Sequence, residues 1–315
     1  MKQFISIHDV QDVPELVQDG IHQKKSALHP GTDHRMAMAL IFFNSSLRTR
    51  LSSEKACHLL GLTSFVLNAG QSWPLEFGEG VIMDGDKSEH IKEASGVISQ
   101  YADLIGVRAF PQLMDRDTDY SEPIIGGFEK YASSPIVNLE SATRHPLQGL
   151  ADMITIEEYK KRKRPKVVLT WAPHPKALPQ SVANSFAAWS LAMDYEVVIT
   201  HPEGYELDPT ITFGASIEYD PSRAYENADF IYAKNWSSYQ SYGQILSQDS
   251  RWLVDVEKFS KANEAYFMHC LPVRRNVVVE DKIIESQQSL VMQQATNRTF
   301  SMLIVLEQIL RHMNT

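Results

Sequence analysis

The chain has little cysteine, a deficit of positive charge and no long apolar run. Cys57 and Cys270 are the only cysteines in 315 residues, too few for a disulfide framework. Lysine and arginine number 30 against 39 aspartates and glutamates, a formal net charge of −9. Nucleic acid and anionic membrane surfaces are therefore poor partners. No apolar stretch approaches the ~20 residues of a membrane span. The first residues, 1–11, hold Lys2 as their one lysine or arginine and no signal-like apolar block, so the expected location is cytoplasmic. There is no internal repeat and no low-complexity segment.

What remains is a composition of 43% hydrophobic and 22% charged residues, that of a soluble globular protein long enough for two domains. The most informative stretch is Ser46-Leu47-Arg48-Thr49-Arg50. It follows an apolar run over 36–43 that reads as a buried parallel strand. It precedes a helical pattern over 47–60, with Leu51, Ala56, Leu59 and Leu60 on one face and Gly61 as a stop. Free backbone N–H groups and the helix dipole converge at such a strand-to-helix turn. With Ser46 as a cap, and a guanidinium and a hydroxyl from Arg48 and Thr49, it reads as a phosphate cradle without a Walker lysine.

The rest of the chain alternates strands and helices. Residues 1–35 read as helical. Strands are predicted over 63–67, 103–107 (delivering Arg108) and 135–139 (delivering Glu140), with helices over 90–101, 122–133 and 146–162. A loop over 68–87 carries Trp73 among glycines, and a basic run, 160–164, reads as a solvated helix end. Strands over 166–171, 196–200, 216–219, 230–233 and 265–268 follow, then a last helix over 297–313 opened by Arg298. This order predicts an α/β fold of two domains, each a parallel β-sheet flanked by helices, with the site in the cleft between them. The expected division is 1–146 plus 294–315 against 147–293.

His145-Pro146-Leu147-Gln148 follows one predicted strand, and His269-Cys270-Leu271-Pro272 follows another. S-x-R-T-R, H-P-x-Q and H-C-L-P, in this order, resemble the aspartate/ornithine carbamoyltransferase family over nearly the whole chain. H-C-L-P points to the ornithine side. The resemblance implies transfer of a carbamoyl group from carbamoyl phosphate to an amine, with no cofactor, no metal and no covalent intermediate. Ser46, Leu47, Arg48, Thr49 and Arg298 would hold the phosphate. Arg108, His145 and Thr49 would face the carbonyl oxygen, and Gln148 would hold the carbamoyl nitrogen. Carbonyls of Cys270 and Leu271 would orient the amine, so Cys270 need not be a nucleophile. Arg50 would be a structural ion-pair partner. The resemblance also implies a homotrimer in which a loop carrying a residue like Trp73 enters a neighbour's site.

The amine departs from free ornithine. Ornithine carbamoyltransferases carry an Asp and a Ser-Met-Gly loop where this chain has Tyr232-Ala233-Lys234-Asn235-Trp236. A lysine there would repel an α-ammonium but suit a carboxylate. The pattern resembles the N-acylornithine branch, implying acylornithine contacts from Glu140, His174, Lys234, Arg274, Cys270, Leu271 and Ser88, and a closing loop over 173–179. Acetyl users have a Glu where this chain has Ser88, which favours the succinyl group, although neighbouring Glu89 keeps the acetyl reading open. They also have a lysine where this chain has Val278. Two rival readings are an ordinary ornithine carbamoyltransferase and a non-catalytic carbamoyl-phosphate-binding protein.

Overall fold

The computed structural model describes residues 1–25, 36–69, 73–262 and 264–313. The expected helical reading of 26–35 and part of the 68–87 loop, 70–72, lie outside the described residues. Eleven strands follow in order: β1 Ala37–Phe42, β2 Thr63–Asn68, β3 Leu75–Glu76, β4 Glu89–His90, β5 Leu104–Arg108, β6 Ile136–Glu140, β7 Lys166–Trp171, β8 Glu196–Thr200, β9 Ser216–Glu218, β10 Phe230–Lys234 and β11 Tyr266–Met268. They form one sheet of order β2-β1-β5-β6, a second of order β11-β10-β7-β8-β9, and the small ribbon β3-β4. All pairings within them are parallel. β1 and β5 are buried along their whole length. That is why they read as continuous apolar runs, not as alternation.

Each sheet has one switch point, where successive crossovers leave in opposite directions. In the first, the chain leaves β1 towards β2 and leaves β5 towards β6. In the second, it leaves β7 towards β8 and β10 towards β11. Crevices open at the C-terminal ends of such strand pairs. Two helices join the sheets. Pro146–Tyr159 is buried from Pro146 to Ile156, and Val291–Met313 packs along it with Met302, Leu303, Val305, Leu306 and Ile309 in the same core.

Several expected elements shift. The last helix begins at Val291, so Arg298 sits two turns inside it and does not open it. Met313 is 41% exposed and leaves the apolar face. The 146–162 helix stops at Tyr159, with Lys160 extended. Its basic tail is not merely solvated, since Arg162 holds Asp229 at 2.6 Å and Lys161 holds Glu264 at 2.8 Å. In the helix Arg48–Leu59, Ala56 and Cys57 face inward, followed by Leu60, while Leu51 is 57% exposed on one stripe with Leu47. No described helix is long and apolar enough to cross a membrane.

Candidate active site

The switch point of the first sheet builds the anion-binding half. β1 ends at Phe42, and the chain turns through Ser45 and Ser46 into the helix that starts at Arg48. Ser46 Oγ accepts the N–H of Thr49 at 3.2 Å, satisfying one of the orphan donors of the first turn. Strand register sets Arg108, at the end of β5, between Phe42 and Glu140. Thr49 is 1% exposed. Its hydroxyl accepts from Arg108 Nη1 at 2.8 Å and from Arg298 Nη2 at 2.6 Å. With both lone pairs taken, its own proton is left to donate.

Glu140 is the counter-charge. Its Oε2 lies 3.1 Å from Arg108 Nη2 and 3.5 Å from His145 Nε2, and its Oε1 accepts from Ser181 Oγ at 3.0 Å. His145 is held through its own N–H, which donates to Ser185 Oγ at 2.7 Å. Burial, then Arg298, Arg108 and Lys234, push its imidazole well below the usual range, so it is neutral near pH 7. Burial likewise lowers Arg48, and lowers Arg298 to about 10; both stay charged. Four cations (Arg48, Arg108, Arg298, Lys234) thus face one buried carboxylate. The Nε atoms of Arg48, Arg108 and Arg298, Nδ1 of His145 and Oε1 of Gln148 are buried without a partner among the described residues. Buried polar groups of this kind call for a ligand with several oxygens and one amide-like donor.

The second sheet supplies the other wall. Lys234 ends β10 at that sheet's switch point, and none of the described residues pairs with its ammonium. Beyond β11, His269 Nδ1 accepts the N–H of Leu271 at 2.8 Å, and Leu271 sits at φ 53°, in the left-handed region. Burial, then Lys234 and Arg48, lower His269 to about 3. Burial raises the Cys270 thiol, which argues against a thiolate nucleophile. Arg274 Nε donates to His174 Nε2 at 3.0 Å, and His174 Nδ1 bonds the Lys176 carbonyl at 2.8 Å.

These walls enclose a cleft of about 660 Å³ between the sheets. Ser46, Leu47, Arg48, Arg108, Glu140, His145, Gln148, His174, Lys234, Cys270, Leu271, Arg274 and Arg298 all line it, as does Val278. Thr49 lies just beneath them. Trp73 and Ser88 do not reach it. Trp73 is half-buried against the core cluster that includes Leu75, Ile91 and Phe128, and its indole donates to Glu89 Oε2 at 3.0 Å. Ser88 is exposed beside it, its N–H on the Pro74 carbonyl at 3.0 Å. Arg50 makes no ion pair among the described residues. It donates to Asn68 Oδ1 at 3.1 Å and lies over the Phe42 ring. No cluster of His, Cys, Asp or Glu suited to a metal ion occurs among the described residues.

Comparison with known proteins decides the family. The carbamoyl-P binding domain of the aspartate/ornithine carbamoyltransferases matches residues 2–158, and their Asp/Orn binding domain matches 179–308. The chain belongs to the aspartate/ornithine carbamoyltransferase family. It is 52% identical to N-succinylornithine carbamoyltransferase of Bacteroides fragilis strain 638R, over 99% of this chain and 100% of that one. It is 37% identical to N-acetylornithine carbamoyltransferase of Xanthomonas axonopodis pv. citri, over 83% of this chain and 82% of that one. A crystal structure of N-acetyl-L-ornithine transcarbamylase with one glutamate replaced by serine, complexed with carbamyl phosphate and N-succinyl-L-norvaline, superposes with a TM-score of 0.91. That pair is 33% identical, covering 98% of this chain and 100% of the other.

This carbamoyltransferase also uses residues that the motifs do not contain. Ser181 and Ser185, from the first two turns of the helix Ser181–Ala192, hold Glu140 and His145. No local signal marks them, because their partners lie some forty positions earlier. Asp152 and Gln294 form a buried pair behind Gln148 at 2.9 Å. Asp152 was findable, since it stands four residues after Gln148 on one helix face.

Proposed function

We propose that the cleft transfers the carbamoyl group of carbamoyl phosphate to the δ-amine of an N-acylated ornithine. N-succinyl-L-ornithine is favoured and N-acetyl-L-ornithine is second; the products are N-acylcitrulline and phosphate, in arginine biosynthesis. The observation that carries this reading is the ammonium of Lys234, unpaired among the described residues, on the wall opposite a cradle of three arginines, Arg48, Arg108 and Arg298. It suits a substrate carboxylate and repels an α-ammonium.

The amine nitrogen attacks the carbonyl carbon, a tetrahedral oxyanion forms, and its collapse breaks the bond to the phosphate oxygen while the new amide nitrogen passes a proton to the departing phosphate. Arg48, Arg298 and the Ser46–Thr49 turn hold the phosphate and its growing charge. Arg108, neutral His145 and the Thr49 hydroxyl face the oxyanion, each donor lowering the barrier by roughly 3 kcal/mol. Gln148 accepts from the carbamoyl NH2, and the Cys270 and Leu271 carbonyls orient the amine. Glu140, His174, Lys234 and Arg274 form the acylornithine wall. No group here needs a cofactor.

Trp73 and Ser88 enter this scheme from a second copy of the chain. Neither lines its own cleft, and exposed Leu47, Leu51, Phe65 and Leu67 form an apolar surface on the edge strand β2 and the adjoining helix. Such a surface favours association, in keeping with a homotrimer with sites at subunit interfaces. The domain division 1–146 plus 294–315 and 147–293, and a cytoplasmic location, belong to the same reading. Succinyl preference rests on Ser88: a structural neighbour with serine for one glutamate is complexed with a succinylated amino acid, and serine removes a like charge from the acyl end.

The test is product detection by mass spectrometry with carbamoyl phosphate and ornithine, N-acetylornithine or N-succinylornithine in parallel. Turnover of the succinyl compound supports the whole reading. Turnover of the acetyl compound alone sinks Ser88 as the selector, and turnover of free ornithine sinks Lys234. Phosphate binding without any turnover leaves a non-catalytic binding protein.

A further inference from the structure

Behind the cleft lies a carboxylate that no step above uses. Asp152, on the buried helix Pro146–Tyr159, is 0% exposed. Its Oδ1 accepts two amide N–H groups, from Gln148 Nε2 at 2.7 Å and Gln294 Nε2 at 2.9 Å. An amide whose NH2 is committed to an acceptor must present its oxygen on the opposite side. Gln148 accordingly has its Oε1 buried, lining the cleft and without a partner. Gln294 has its Oε1 on the N–H of His269 at 2.9 Å, the residue that opens H-C-L-P. One oxygen atom therefore orients a glutamine in each wall of the site.

We infer that Asp152 is a positioning residue: through its Oδ1 it fixes the Gln148 amide with the carbonyl oxygen towards the carbamoyl nitrogen, and through Gln294 it anchors the strand end that carries Cys270 and Leu271. The inference rests on the proposed carbamoyl phosphate site. Without the carboxylate, the Gln148 amide is free to rotate through its broad terminal torsion, and in half of its orientations it offers NH2 to NH2. The role needs an acceptor at Oδ1, not a charge. Asparagine keeps that acceptor and alanine does not.

The test separates the carbamoyl end of the ligand from its phosphate end. Binding of phosphonoacetamide, a stable analogue carrying both ends, and of inorganic phosphate is measured by calorimetry for wild type, Asp152→Ala and Asp152→Asn. Wild type should prefer phosphonoacetamide. Asp152→Ala should lose about ten-fold of that preference, the equivalent of ~1.4 kcal/mol, with phosphate affinity unchanged within two-fold. Asp152→Asn should keep the preference within about three-fold. A disrupted fold would weaken both ligands together, so equal losses overturn the proposal. So do an alanine variant with unaltered preference, a wild type that does not distinguish the ligands, and an asparagine variant as damaged as alanine. If Asp152→Ala does not fold, Asp152→Leu, which fills the space, gives the same comparison. Turnover is scored separately: intact discrimination with no carbamoyl transfer counts against the enzymatic reading alone.

Discussion

Replacing Thr49 by valine removes one oxygen while keeping the volume, and that oxygen holds two guanidinium groups. Arg108 Nη1 and Arg298 Nη2 donate to it at 2.8 and 2.6 Å from positions that are 7% and 6% exposed. A hydrogen bond from a charged group contributes about 1.5–3 kcal/mol, and an unpaired buried donor costs its desolvation. Arg108 keeps Glu140 as a second partner at 3.1 Å, so its loss falls at the low end. Among the described residues, that nitrogen of Arg298 keeps a 3.5 Å contact with His145 Nε2. The sum for Thr49→Val is about 3 kcal/mol, or roughly 6 °C in melting temperature for a chain of this size. Inorganic phosphate should restore much of it: it supplies acceptors to the same two arginines, and saturation at a hundred times Kd adds about 2.7 kcal/mol. Turnover should fall roughly a hundred-fold with loss of an oxyanion donor. Calorimetric melting with and without phosphate, plus a carbamoyl-transfer assay, measures all three. A variant that melts within 1 °C of wild type (~0.5 kcal/mol) and retains its turnover would refute the shared-hydroxyl geometry.

Arg108→Ala should lower turnover by at least a hundred-fold, ~3 kcal/mol, and leave the fold cooperative, because removing one of four clustered cations relieves repulsion that offsets the lost Glu140 pair; unchanged turnover would take Arg108 out of the site. Ser88→Glu should shift preference from the succinyl to the acetyl compound in a competition assay, and an unshifted ratio would place Ser88 away from the acyl group. His269→Asn should keep the acceptor for the Leu271 N–H but remove a titration. His269 falls from 6.5 to about 3 on folding, so the unfolded chain binds more protons across that window and wild-type stability drops as pH falls below 6.5. At ~1.4 kcal/mol per pH unit, unfolding free energies from urea titrations should move about 2 kcal/mol in the variant's favour between pH 6.5 and pH 5. Parallel pH curves for the two proteins would exclude the buried neutral imidazole.

The phosphate-binding half was legible because its parts are local: an apolar strand, a Ser cap and two basic residues within one turn of chain. The start of the last helix was not, and the reason is instructive. Gln294 breaks the apolar periodicity of 291–296, so those residues read as preceding the helix, and Asn297 reads as its polar first residue. In the fold both are fully buried and satisfied, Gln294 by Asp152 and His269, and Asn297 by Thr155 and Glu158 at 2.9 Å. Hydropathy counts such residues as surface; only their buried hydrogen bonds show them to be core. Leu51 errs in the opposite direction. It is apolar and in phase, yet it is exposed together with Leu47, Phe65 and Leu67. The two misreadings have one cause: a periodic pattern separates polar from apolar, while the site needs polar groups inside, where a ligand is gripped, and apolar groups outside, where a second copy would complete the cleft with Trp73 and Ser88. Departures from the simple pattern therefore mark the places where this fold is built for work on a ligand, and Asp152, fully buried yet tied to both glutamines, is the first to test.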